Sequence, residues 1–74
     1  GEKMKYILMD YKDGDCFTAE FESKEEALQE AEGQWEHLTR CDQKHRTEFY
    51  VLESVNPDED APDHYDGDIV RRWK

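Results

Sequence analysis

"KYILMDYKDGDCFTAEF", Lys5 to Phe21, is the stretch that decides the fold. It opens with a short apolar run carrying a β-branched residue and two tyrosines. Asp13-Gly14 follows, and the stretch closes on a clean alternation in which Phe17, Ala19 and Phe21 point one way and Cys16, Thr18 and Glu20 the other. A side-chain period of two is the signature of a half-buried strand. Asp-Gly between two such runs predicts a type I′ turn, because both central residues of that turn need positive φ. The first two elements are therefore a β-hairpin.

Downstream, "SKEEALQEAEGQWEHLTRC" (Ser23–Cys41) changes period. Leu28, Ala31, Trp35 and Leu38, with Ala27 beside them, recur at helical spacing and form one apolar stripe. Ser23 and Glu26 match a capping box, and Glu25 and Glu26 suit the positive end of a helix dipole. The pattern predicts a single helix ending between Thr39 and Gln43, with Glu36 and Arg40 as an i,i+4 ion pair. Gly33 is tolerated inside it at a cost of about 1 kcal/mol relative to Ala.

"RTEFYVLESV" (Arg46–Val55) reads as a third strand, with Phe49, Val51 and Glu53 on one face and Tyr50 and Leu52 on the other. "DIVRRWK" (Asp68–Lys74) reads as a fourth, in which Ile69, Arg71 and Trp73 share a face. The order ββαββ implies an α+β fold, one helix packed on a four-stranded antiparallel sheet. Strands 1 and 3 are apolar on both faces, so they belong in the centre, in spatial order 2-1-3-4. Residues 1–3 read as a tag remnant or disordered lead-in, and 4–74 as one domain. One helix covers one sheet face. The other is expected either to expose some of Tyr6, Leu8, Tyr50, Leu52 and Trp73, or their neighbours of opposite parity, or to be covered by the 56–68 segment with Tyr65 as a plug.

At 74 residues the chain has little apolar area with which to offset the entropy of folding, and its nine aromatics carry much of it. Charge is its most pronounced feature. The sequence holds 20 Asp and Glu against 10 Lys and Arg, for a net charge of −10. The carboxylates crowd into residues 10–36 and 53–68. Such a field repels nucleic acid and anionic membrane and attracts basic surfaces, over about 8 Å at physiological salt. With no long apolar run and only Cys16 and Cys41, the sequence reads as cytoplasmic, with two reduced thiols.

Chemistry finds no clear centre. Cys16, His37, Cys41 and His45 are the right residue types for zinc, but their spacing fits no zinc module, and His37 and Cys41 fall opposite the apolar stripe. An EF-hand register starting at Asp58 puts Pro62 and Asp63 at its fifth and sixth positions. One starting at Asp66 puts Val70 and Arg71 there, where an acidic ligand and glycine are needed. Ser23 is committed to a cap, and neither cysteine has a nucleophile signature. His64 among carboxylates has the makings of an acid–base pair with Asp63 or Asp66, but a surface histidine is the plainer reading. No catalytic, cofactor or metal residue is assigned.

The remaining feature is the acidic surface. Asp58, Glu59, Asp60, Asp63, Asp66 and Asp68 would steer a basic protein partner, joined by Glu25, Glu32 and Glu36 of the helix. Tyr50 and Trp73 would supply buried contact on the open sheet face. The expectation is an interaction module, with nucleic-acid mimicry as its specific form. The alternative is a structural homodimer whose acidity serves solubility alone, against a monomer.

Two resemblances add context. "MKYILMDYKDGDCFTAEFESKEEALQEAE" resembles the N-terminal half of HicB-like antitoxins, in which an MKY strand, a strand ending A-x-F and an EEAL-x-x-A helix recur. It lacks their Pro-Gly-rich third strand and a DNA-binding tail. The likeness implies an antitoxin-like partner of a basic toxin. "FYVLESVNPDE" and "DGDIVRRWK" are similar to segments of small acidic proteins from Gram-positive gut bacteria and their mobile elements, which implies a context rather than an activity.

Overall fold

The computed structural model describes residues 4–55 and 67–74. Asp13 (φ 49°) and Gly14 (φ 90°) both take positive φ, as a type I′ turn demands. They join β1 (Met4–Lys12) to β2 (Asp15–Phe21) with Lys12 opposite Asp15. α1 (Lys24–His37) then crosses one face of the sheet. β3 (Arg46–Val55) lies antiparallel to β1 on the side away from β2, and β4 (Gly67–Arg72) pairs with β3. The four-stranded sheet has the order β2-β1-β3-β4, one main helix packed on it. The two strands that are apolar on both faces are indeed the central ones.

The helix face of the sheet holds the larger core. Leu8, Phe49 and Val51 are buried beneath Ala27 and Ala31, and Leu28 and Trp35 flank them. Alanines at the two deepest helix positions let α1 approach the sheet closely. Phe49 is the hub, with the Trp35 ring 5.2 Å away and the Trp73 ring edge-on at 5.8 Å. Tilted and T-shaped pairs of this kind add to plain area burial.

Two expectations are corrected. The helix does not run to Thr39–Gln43. α1 stops at His37, Leu38 takes extended backbone as its C-cap, and a second helix, α2 (Arg40–His45), begins after Thr39. The Thr39 hydroxyl accepts from the Asp42 amide at 3.1 Å, so a cap that starts a helix sits where the apolar pattern alone suggested continuity. Glu36 and Arg40 therefore lie on different helices, and no ion pair joins them among the described residues.

The second correction is to β4. Leu52 is opposite Ile69 and Val51 opposite Arg71, so Val70 is an extra residue, a β-bulge. The bulge resets the parity of the strand. Val70 and Trp73 pack on the helix-side core, while Ile69 stays 47% exposed. Trp73 is thus a core residue of the helix face and no part of the opposite face.

For the opposite face the sequence allows two alternatives, an exposed apolar patch or cover by the 56–68 segment, and the first does not hold. Tyr6 and Leu8 point toward the helix, and the face carries Ile7, Met9 and Leu52 with Tyr11 and Tyr50 beside them. Ile7, Met9 and Leu52 are buried, at 0, 4 and 5% exposure, so they do not form an exposed patch. The alternative cover by Tyr65 lies outside the described residues.

Candidate interaction surface

The outer side of α1 is built from the same helical register that buries its alanines. Turning Ala27 and Ala31 inward turns Glu25, Glu26, Glu30 and Glu36 outward, and all four are exposed, as is Glu22 just before the helix. Glu25 and Glu26 occupy the first turn, where Ser23 accepts from the Glu26 amide at 3.1 Å. There they complement the helix dipole. Glu30 and Glu36 have no such compensation. Glu26/Glu30 and Glu32/Glu36 are like-charge i,i+4 spacings within α1, each costing an isolated helix about 0.2–0.5 kcal/mol, whereas Glu22 precedes the Ser23 cap and makes no such pair with Glu26.

The described ion pairs lie elsewhere. Asp10 and Arg46 form the most enclosed one, Arg46 Nε to Asp10 Oδ1 at 3.1 Å, with both side chains under one-sixth exposed. The same guanidinium donates from Nη1 to the Asp42 carbonyl, which ties α2 to β1. Arg71 reaches Glu32 at 3.8 Å and Arg72 reaches Glu48 at 3.7 Å. His45 lies 3.6 Å from Asp13. Of the three helix glutamates expected to face a partner, Glu25 and Glu36 stand clear of these pairs, whereas Glu32 is half-buried against Arg71.

Asp68 is exposed on β4, directly across from Glu53. Like charges in directly opposed strand positions are destabilising. Asp58, Glu59, Asp60, Asp63 and Asp66, like His64, lie outside the described residues. Tyr50 is half-buried on the face away from the helix. Its ring stacks on Tyr11 at 6.3 Å and lies 5.4 Å beneath the Arg72 guanidinium. Burial, and hydrogen bonding with Cys16 and Tyr50, push the Tyr11 phenol well above its ordinary range. Trp73 sits on the other face, under the Arg71 guanidinium at 4.9 Å. The structure therefore does not bring Tyr50, Trp73 and the acidic helix together as one surface.

Cys16 and Cys41 are free and exposed, and His37 and Cys41 lie on separate helices rather than one turn apart on the same one. Among the described residues no three His, Cys, Asp or Glu side chains are grouped to hold a metal ion. No helix there is long and apolar enough to cross a membrane. Sequence reasoning missed the Arg71–Glu32 and Arg72–Glu48 pairs. Both depend on strand register and on the β4 bulge, which leave no local signal. Comparison of the chain with protein-family models, with curated proteins and with solved structures returns no match.

Proposed function

We propose that the protein is a small cytoplasmic binding module that presents the outer face of α1 to a basic protein surface, and that it works by binding rather than catalysis. One observation carries this reading. Glu25, Glu26, Glu30 and Glu36 are exposed together and form no ion pair among the described residues, while Arg46, Arg71 and Arg72 are all directed to other carboxylates. A face selected for stability alone would mix signs. Its specific form is nucleic-acid mimicry, in which a row of carboxylates takes the place of backbone phosphates in a basic groove. An antitoxin-like role toward a basic toxin is one instance of the same chemistry.

The test is capture of partners from the native host by the immobilised chain, at about 0.1 M and about 1 M salt, across which the screening length falls from about 10 Å to about 3 Å. The expected outcome is a specific basic partner retained at low salt, released at high salt, and lost when Glu25, Glu26, Glu30 and Glu36 are all changed to Gln. A partner retained equally at both salts would overturn the charge-directed reading. A chain that sediments as a salt-insensitive dimer and captures nothing would replace it with the structural homodimer.

A further inference from the structure

The end of α1, the short helix α2 and the C-terminal residues meet around an open cavity of about 320 Å3, lined by Trp35, Arg40, Gln43, Lys44 and Lys74. Three of those five side chains are cations, in a chain with twice as many acids as bases. None of the three forms an ion pair with a carboxylate among the described residues. The break after His37 is what puts them there, because it carries Arg40 away from Glu36 and into the first turn of α2. Lys44 follows four residues later on the same helix, a like-charge spacing that is mildly destabilising unless an anion lies between the two.

Lys74 is aimed by the backbone. Its ammonium donates to the carbonyls of Gln43 at 3.0 Å and Lys44 at 3.4 Å. An ammonium has three donors, so one remains for a ligand. Gln43 is held in turn by its own donation to the Trp35 carbonyl at 3.1 Å. Trp35, half-buried against Phe49, forms an apolar wall.

We propose that this cavity binds a compact phosphate-bearing small molecule. Arg40 would supply a planar fork suited to two phosphate oxygens, and Lys44 and Lys74 would supply point charges. Trp35 would take the uncharged part of the ligand. The net negative charge of the chain does not forbid this, because at physiological salt charges more than about 8 Å away are largely screened. The site is independent of the acidic face of α1 and stands or falls separately.

The test titrates the full chain with inorganic pyrophosphate and, in a second arm, adenosine monophosphate, following the Trp35 indole and the Arg40–Lys44 amides by NMR. The expected result is a saturable shift at those positions with a Kd of about 1 mM or tighter. Removing one charge-assisted hydrogen bond to the phosphate should weaken binding about tenfold or more, in R40Q and in K44Q, and the double variant should bind weakest. K24Q, an equal charge change at the other end of the chain's helical layer, should bind as the parent does. Tighter binding of the nucleotide than of pyrophosphate would assign Trp35 its wall role, and the reverse would assign the site to the bare phosphate group. The proposal is overturned if no saturable shift appears by about 10 mM, ten times that Kd. It is equally overturned if R40Q and K44Q respond like the parent, or if K24Q loses as much as they do.

Discussion

Gly67 shows how one residue can hold an element in place. It sits opposite Ser54 at the start of β4, and a Cβ built there would overlap the Glu53 carbonyl of β3. The obstacle is backbone, which cannot swing aside as a side-chain tip would, so Gly67 is required by close approach. Gly67→Ala should cost about 1–3 kcal/mol, the usual range for overpacking. For a domain of this size each kcal/mol lowers Tm by about 4–8 °C, so calorimetry would resolve it. Loss of the β4 amide protection in hydrogen exchange should accompany the drop, because β4 is an edge strand whose described ladder runs only to β3. An unchanged Tm would mean that β4 does not pair in this register. Gly14 is the contrasting case, required by its positive φ, with nothing within reach of an added Cβ. The sequence distinguishes the two poorly: both occur in the tripeptide Asp-Gly-Asp, and only the first stands between two alternating runs.

At the scale of elements, the parts legible in the sequence are those specified by neighbours a few residues apart. The hairpin follows from Asp13-Gly14, the start of α1 from Ser23 and Glu26, and the central position of β1 and β3 from their two-sided apolarity. The parts that were not legible depend on residues distant in the chain or on a competition between local signals. Trp35 and Leu38 continue the helical stripe, and Thr39 interrupts it, because a hydroxyl that can accept from the Asp42 amide competes with helix continuation. The face of Trp73 depends on the Val70 bulge, which only the pairing with Val51 and Leu52 defines. For the candidate surface, the exposed glutamates were legible from helical period, whereas the pairing of Glu32 with Arg71 was not. The two caps make separate predictions. Ser23→Ala should lower global stability by about 1 kcal/mol, since α1 covers the core. Thr39→Ala removes an equivalent bond, but α2 buries no residue fully, so its effect should appear mainly as faster amide exchange across Arg40–His45, with a smaller change in Tm. Equal losses of Tm in the two variants would show that α2 is as much a part of the cooperative unit as α1.

For the whole molecule, the question is whether the acidity stabilises the fold or opposes it, and position along α1 separates the answers. Glu25 and Glu26 lie at the positive end of the helix dipole and gain from it; Glu36 lies in the last turn, near the negative end, four residues from Glu32. Glu30 follows Glu26 at the same like-charge spacing. A net charge of −10 adds a diffuse self-repulsion to these local terms. Changing Glu30 and Glu36 to Gln should therefore raise stability at low salt by a few tenths of a kcal/mol for each substitution. The gain should shrink toward zero near 1 M salt, where the screening length is only about 3 Å. Glu25→Gln should do the opposite, because it gives up a favourable dipole interaction. Chemical denaturation of the three chains in urea, which leaves ionic strength free to vary, would measure all of these. A face that costs stability where it could be neutralised at no loss of packing is what a charge-directed binding surface requires, and partner release by E30Q/E36Q alongside its higher stability would join the two effects in one variant. If E30Q/E36Q were instead less stable than the parent at every salt concentration, these carboxylates would be structural, and the acidic face of α1 would lose its claim to a partner.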